Sequence, residues 1–148
     1  MARLNWTRAV VAGLVATAAM TALMLMAPRM GLPPMNIGAM LGSVMGGSLL
    51  LGWMTHFAIG AALALAYAAF FASRLPGPGF ARGALYALAP WLAAGLMVMP
   101  MMGAGLFGGA FAAGFGSLMG HLVYGAVLGG LYRPAESRAA TCPVALHA

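Results

Sequence analysis

Residues Leu49–Ala72, LLLGWMTHFAIGAALALAYAAFFA, form an apolar run without a formal charge, which is typical of a transmembrane helix. The run is longer than the roughly 20 residues that a helix needs to cross the hydrocarbon core of a bilayer. Three further runs share this length and apolar character, namely Ala9–Ala27, Gly83–Gly103 and Phe111–Tyr132. The sequence therefore predicts an all-α membrane protein with four transmembrane helices in a single transmembrane domain over residues 1–148.

The composition of the whole chain excludes a soluble globular protein. Of the 148 residues, 64% are hydrophobic and only 5% are charged, whereas a soluble domain has roughly a quarter of its residues charged. The net charge of +6 comes from seven arginines against Glu136 alone. These arginines are dispersed between apolar runs instead of forming a basic face, so the expected partner is the lipid bilayer and not a nucleic acid.

The positions of the arginines predict the topology, because short arginine-rich loops stay on the cytoplasmic side during insertion. Arg29 is the only arginine on one side of the predicted spans. The other side holds Arg3 and Arg8 before the first span, Arg74 and Arg82 between the second and third, and Arg133 and Arg138 after the fourth. We therefore expect a multi-pass protein with both termini cytoplasmic and a cytoplasmic tail at 134–148.

The two connections on the other side of the predicted bundle are almost entirely apolar. They are residues 30–42, MGLPPMNIGAMLG, and residues 101–109, MMGAGLFGG. Segments with so few polar side chains make poor solvated loops. We expect short helices or re-entrant segments that lie in the outer interface or pack into the mouth of the bundle.

An internal repeat relates the two halves of the chain. The second and fourth spans share the pattern M-x-H-x-x-x-G-A-x-L-x-x-x-Y, which begins at Met54 and again at Met119. The first and third spans match more loosely, with a one-residue slip. The pattern predicts two tandem helical hairpins, repeat one at 1–73 and repeat two at 74–133, related by an axis along the membrane normal.

Three motifs resemble a known family of small four-helix bacterial inner-membrane proteins of unknown function. They are GLPPMNI at 31–37, PMMGAG at 100–105 and GHLVYG at 120–125. The resemblance covers nearly the whole chain. It implies a location in the bacterial inner (cytoplasmic) membrane, and it carries over neither an activity nor assigned site residues.

The chemistry of an enzyme has no candidates in the predicted spans. They contain no Asp, Glu or Lys, so carboxylate general acids and bases, Schiff-base lysines and carboxylate-coupled ion transport are excluded there. No nucleophile triad or phosphate-binding loop is present either. Cys142 and His147 indicate an unstructured tail rather than a metal site. We therefore expect a protein that is not an enzyme.

The residues that suggest a ligand are histidines and methionines. His56 and His121 occupy equivalent positions of the repeat, and they are expected to face one another across its axis. Apart from the initiator, all methionines fall at 20–54 or 97–119, which is the outer half of the predicted bundle. Thioethers beside imidazoles are the donors that a Cu(I) site requires. The candidate metal ligands are His56, His121, Met24, Met26, Met97 and Met99.

Two functions remain open on these observations. The favoured one is a small binding or permeation protein with a His/Met-lined site in its outer half, for Cu(I) or another soft metal. The alternative is a structural or accessory subunit, in which the histidines fix helix register, the methionines fill gaps, and Gly-rich faces pack in a homo-oligomer or a larger membrane complex. A third possibility, haem held between the two imidazoles, is less favoured. Haem would need a wide bundle, whereas the many Gly and Ala residues predict closely packed helices.

Overall fold

The computed structural model of the protein describes residues 4–132, and within them it is helical without a β-strand. Arg3, Arg133, Arg138, Cys142, His147 and the predicted tail at 134–148 lie outside the described residues. The α-helices are α1 Trp6–Met26, α2 Ile37–Ser43, α3 Leu49–Ala66, α4 Gly79–Ala93, α5 Met99–Met101 and α6 Phe111–Leu131.

Four continuous helical segments are long and apolar enough to cross a membrane, which confirms the predicted fold class. They arise because a 3₁₀ turn extends α1 and because single π-helical turns extend α3 and join α4 to α5. Their bounds lie within a few residues of those predicted from hydropathy. The four segments are Trp6–Met30, Leu49–Phe71, Gly79–Met101 and Phe111–Leu131.

Small residues set the packing of the four spans. Helix α1 packs against α3 and α6, and α4 packs against α6. In the first hairpin a Cβ atom at Gly60 would collide with the hydroxyl of Thr17, and in the second a Cβ atom at Gly125 would collide with the backbone of Gly83. In lipid the hydrophobic effect does not drive helices together, because the lipid tails are as apolar as the side chains. Small residues let the helices approach closely, and the resulting van der Waals contacts stabilise their association. Both glycines belong to the shared sequence motif, although the superposition of the two halves stays a prediction.

We expect Gly125→Ala to destabilise the bundle by about 1–3 kcal/mol, since the added methyl group meets backbone atoms of α4 that cannot move aside. Gly130→Ala is the matched control, because a Cβ atom there meets nothing within 4 Å. Thermal unfolding of both variants in the same detergent measures the difference. Equal melting temperatures for the two variants would contradict the close approach of α4 and α6.

Arginines close one end of the bundle, which we call the arginine end. Arg8 Nε donates to the Leu131 carbonyl at the end of α6 at 3.1 Å, and Arg82 Nη1 donates to the Ala72 carbonyl after α3 at 3.2 Å. Arg74 lies in the connection between α3 and α4 at the same end. The carbonyls at helix C-termini have no intrahelical hydrogen-bond partner, and these guanidinium groups supply one. The positive charge of each guanidinium also interacts favourably with the negative end of the helix dipole.

The opposite end, which we call the methionine end, holds both apolar connections. In the first connection, Asn36 caps α2 by accepting a hydrogen bond from the Ala39 N–H at 2.9 Å. Helix α2 then packs on α3, where a Cβ atom at Gly52 would collide with the backbone of Gly38. The apolar segment at 30–42 therefore contains a short helix packed onto the bundle.

The second connection places an aromatic side chain against α4. Phe107 adopts a left-handed backbone conformation, with φ of 51°, in the turn Leu106–Gly108. Its ring centroid lies 4.9 Å from that of Trp91, and a Cβ atom at Gly95 would collide with the Phe107 ring. The cost of this backbone conformation is offset by the contact of the ring with α4.

Candidate functional site

A cavity of about 270 Å³ lies in the half of the bundle toward the methionine end. Its walls come from α1, α3, the third span and α6, and α2 contributes to its lining from the connection at 30–42. The lining is mostly apolar, and it contains two imidazoles and four thioethers. These six side chains are His56, His121, Met20, Met24, Met40 and Met99.

Four of the six predicted ligand candidates come together at this cavity. The two histidines line it from α3 and α6, and their facing one another across the axis of the repeat stays a prediction. Met24 on α1 and Met99 on α5 line it as well, with side chains that are only 6% and 3% exposed. The structure therefore places two imidazoles and two of the four predicted thioethers around one space.

The other two candidates lie elsewhere. Met26 and Met97 are 54% and 63% exposed, and neither lines the cavity. Each is two residues from a lining methionine, and two residues correspond to a rotation of about 200° around an α-helix. The two members of each Met-x-Met pair thus face opposite sides of their helix, so only one member of each pair belongs to the candidate site.

Two lining methionines were not among the predicted candidates. Met20 precedes Met24 by one helical turn on α1, and this i,i+4 relation is the sequence signal that identifies it. Met40 lies on α2, and it reaches the cavity only because α2 folds back onto the bundle. Its participation depends on tertiary structure for which the sequence gives no local signal.

His56 is held on α3 by one hydrogen bond and two aromatic neighbours. Its Nε2 atom lies 3.1 Å from the Thr21 hydroxyl of α1. The rings of Trp53 and Phe57 approach its imidazole edge-on, with centroid separations of 5.9 and 5.7 Å. These contacts fix the orientation of the imidazole at the junction of α1 and α3.

His121 is held by its own helix. Its Nδ1 atom lies 2.8 Å from the Ser117 carbonyl, one turn earlier on α6. The side chain is half-buried and lines the cavity. The two histidines thus reach the same space from different helices, and each is anchored by a different ring nitrogen.

Tyrosine hydroxyls close the cavity toward the arginine end. Tyr124 of α6 donates to the Gly60 carbonyl at 2.6 Å, and Tyr86 of α4 donates to the Leu63 carbonyl at 2.8 Å. Beyond them the ring of Tyr67 packs at 5.2 Å from that of Tyr86. Among the described residues, these contacts join α3 to both helices of the second hairpin below the cavity floor.

Two residues that line the cavity, one on α3 and one on the third span, are also exposed. They are Ile59 and Val98. Both residues lie inside the segments that are long enough to cross the membrane. This part of the cavity wall is therefore apolar and lies at the depth at which a bilayer is hydrocarbon.

The donors around the cavity restrict the ions that it can hold. Within residues 4–132, no group of three or more His, Cys, Asp or Glu side chains is placed to bind a metal. Besides the two imidazoles, the lining side chains that carry a donor atom are the four thioethers and the hydroxyls of Thr17, Ser117 and Tyr124. Thioethers select soft ions such as Cu(I), whereas Mg²⁺ and Ca²⁺ need carboxylate or carbonyl oxygen.

Comparison with known proteins gives a family without a function. The model of a family of unknown function, DUF6789, matches residues 4–142. Neither the curated proteins nor the solved structures contain a match to the chain. The match spans all four membrane-length segments and the whole of the cavity, and it agrees with the resemblance to a family of unknown function. The chain therefore belongs to the DUF6789 family.

Proposed function

We propose that this protein binds Cu(I) inside the membrane, at the cavity lined by His56 and His121. The observation that carries the proposal is that both imidazoles and four methionine side chains line one space of about 270 Å³. The methionines that complete the donor set are Met20, Met24 and Met99 from the spans and Met40 from α2. Binding, without chemical turnover, is the role that we assign.

The charge of the ion supports Cu(I) over a divalent metal. The cavity offers only neutral donors, and moving an ion into a medium of low dielectric constant costs several kcal/mol per charge after relaxation. No carboxylate is present in the spans to offset that cost. A monovalent soft ion has the smallest desolvation cost and the strongest preference for imidazole and thioether ligands.

The closure toward the arginine end supports binding rather than free permeation. The hydroxyls of Tyr124 and Tyr86 each donate to a carbonyl of α3, and the buried ring of Tyr67 packs behind them. An ion that enters from the methionine end thus meets a floor of hydrogen-bonded tyrosines. Exchange of the ion with a partner on that same side is the simplest route in and out.

The rival role is that of a structural or accessory subunit without a ligand. It requires free Gly-rich faces for a partner. The glycines of the shared motif, Gly60 and Gly125, instead contact α1 and α4 within the same chain. This use of the glycines inside the bundle favours the binding role, and the experiment below separates the two.

The decisive experiment is anaerobic titration of the purified protein in nanodiscs with Cu(I), in competition with a chromophoric Cu(I) chelator. We expect one tightly bound ion per chain, and Ag(I), another soft monovalent ion, should compete for it. A visible spectrum of the same sample reports haem directly. A protein that is folded and inserted, yet binds neither ion nor haem, would leave the structural-subunit role as the better account.

The proposed location is the bacterial inner membrane, with the arginine end in the cytoplasm. Reporter fusions after Arg74 and after Arg133 should therefore be active as cytoplasmic reporters, and fusions near Gly31 and Gly105 as periplasmic reporters. The physical reason is the retention of arginine-rich loops during insertion. A periplasmic signal from the Arg74 fusion would place the methionine end, and with it the proposed ion entry, on the cytoplasmic side.

A further inference from the structure

The two histidines are anchored through opposite ring nitrogens, and this determines which atoms they offer to a ligand. His56 uses Nε2, which contacts the Thr21 hydroxyl at 3.1 Å. His121 uses Nδ1, which contacts the Ser117 carbonyl at 2.8 Å. A neutral imidazole carries one N–H and one lone pair, so the anchoring atom decides which nitrogen is left as a donor to an ion.

The proton positions follow from what each partner can do. A carbonyl oxygen only accepts hydrogen bonds, so His121 carries its proton on Nδ1. The Thr21 hydroxyl has a single proton and two contacts, the Thr17 carbonyl at 2.7 Å and His56 Nε2 at 3.1 Å. The proton is assigned to the shorter contact, whose carbonyl oxygen can only accept. The hydroxyl is therefore left to accept from His56, which carries its proton on Nε2.

We propose that Thr21 is a positioning residue that holds His56 as the Nε2–H tautomer, so that the cavity presents Nδ1 of His56 and Nε2 of His121 as its two nitrogen donors. Among the described residues, neither of these two nitrogens has a hydrogen-bond partner in the protein, and neither is a buried unpaired atom. Both rings line the cavity. The outer-shell hydrogen bonds also raise the basicity of the free nitrogen, as they do in known metal sites.

The asymmetry has a cause in the sequence. In the loose match between the first and third spans, Thr21 corresponds to Ala94 or Gly95, depending on where the one-residue slip is placed. Neither residue has a hydroxyl group. His121 therefore has no counterpart of Thr21 to bond, and it bonds a carbonyl of its own helix instead. The absence of a hydroxyl at this position of the second repeat thus accounts for the different hydrogen-bond partners of the two imidazoles.

The tautomers are measured by long-range ¹H–¹⁵N correlation NMR on the metal-free protein with labelled histidine, above the pH at which histidine titrates. Spectra of His56→Phe and His121→Phe assign the signals. We expect His56 as Nε2–H and His121 as Nδ1–H in the wild-type protein. Observation of His56 as Nδ1–H would overturn the proposal without any variant being needed.

Thr21→Val removes the hydroxyl at nearly constant volume, and Thr21→Ser retains it. In the valine variant we expect the His56 signal to change to a mixture of tautomers while the His121 signal stays as it was. Cu(I) affinity should fall by about 10–100-fold, the usual effect of losing an outer-shell partner. The serine variant should keep the wild-type tautomer and affinity. An unchanged His56 tautomer in the valine variant would show that Thr21 does not position the ring.

The copper measurement rests on the proposed function, whereas the tautomer measurement on the metal-free protein does not. A protein with the expected tautomers that binds no Cu(I) would therefore overturn the proposed function and leave the role of Thr21 intact. A protein that binds Cu(I) but carries the opposite tautomer at His56 would overturn the role of Thr21 and leave the proposed function intact.

Discussion

Replacement of both imidazoles by phenyl rings, in the double variant His56→Phe and His121→Phe, is expected to lower the Cu(I) affinity by more than about 100-fold. Loss of a single outer-shell partner typically costs 10–100-fold, and here both nitrogen ligands are removed. The phenyl ring keeps the aromatic contacts of His56 with Trp53 and Phe57. The measurement is the anaerobic competition titration in nanodiscs.

The fold should survive this double substitution. The Thr21 hydroxyl keeps its bond to the Thr17 carbonyl, and the Ser117 carbonyl keeps its place in the hydrogen-bond ladder of α6. His147→Phe, which changes a histidine that follows the last span in the sequence, is the control and should bind Cu(I) as the wild type does. A double variant that retains wild-type affinity would exclude the imidazoles as ligands.

The second large effect concerns the methionines, and the chain supplies its own control. Met24→Leu with Met99→Leu should lower the Cu(I) affinity by about tenfold or more. Loss of an outer-shell partner alone typically costs 10–100-fold in metal affinity, and these methionines are proposed as direct ligands. Met26→Leu with Met97→Leu should leave the affinity unchanged, because these side chains are 54% and 63% exposed outside the cavity. The two double variants differ only in which face of each helix is changed.

Both methionine variants should be stable enough for the comparison. Exchange of Met for Leu nearly conserves volume and usually costs less than about 1.5 kcal/mol. Their melting temperatures in detergent, measured beside the titrations, verify this. If the two double variants bind Cu(I) equally well, the lining methionines only fill space, and the ligand donors are reduced to the two imidazoles.

The sequence alone was sufficient to predict the number of membrane-length helices and their approximate bounds. A transmembrane helix satisfies its own backbone hydrogen bonds, so its existence depends on the length and apolar character of one segment and not on distant residues. The run Phe111–Tyr132 was therefore predicted to within one residue of the observed segment Phe111–Leu131. The repeated motif also singled out His56 and His121 as equivalent positions, and both line the cavity, although their hydrogen-bond partners differ.

The membership of the candidate site was only partly predictable. Both Met24 and Met26 were candidates because they lie in the outer half of the predicted bundle, near the histidines. Helical geometry requires that they face opposite sides of α1, but it does not say which side faces the cavity. That choice is made by the contact of α1 with α3 and α6, where Met20 and Met24 pack over Gly120.

Contacts between elements far apart in the sequence could not be predicted, because they depend on how the helices pack. Met40 lines the cavity because α2 folds back onto α3, and the hydrogen bond between Thr21 and His56 joins two helices across 35 positions. Neither contact leaves a periodic or local signal in the chain. Insertion of each helix depends on the apolar length of one continuous segment. The helix faces that meet depend on how the inserted helices pack against each other, and so do the ring nitrogens that are left free for an ion.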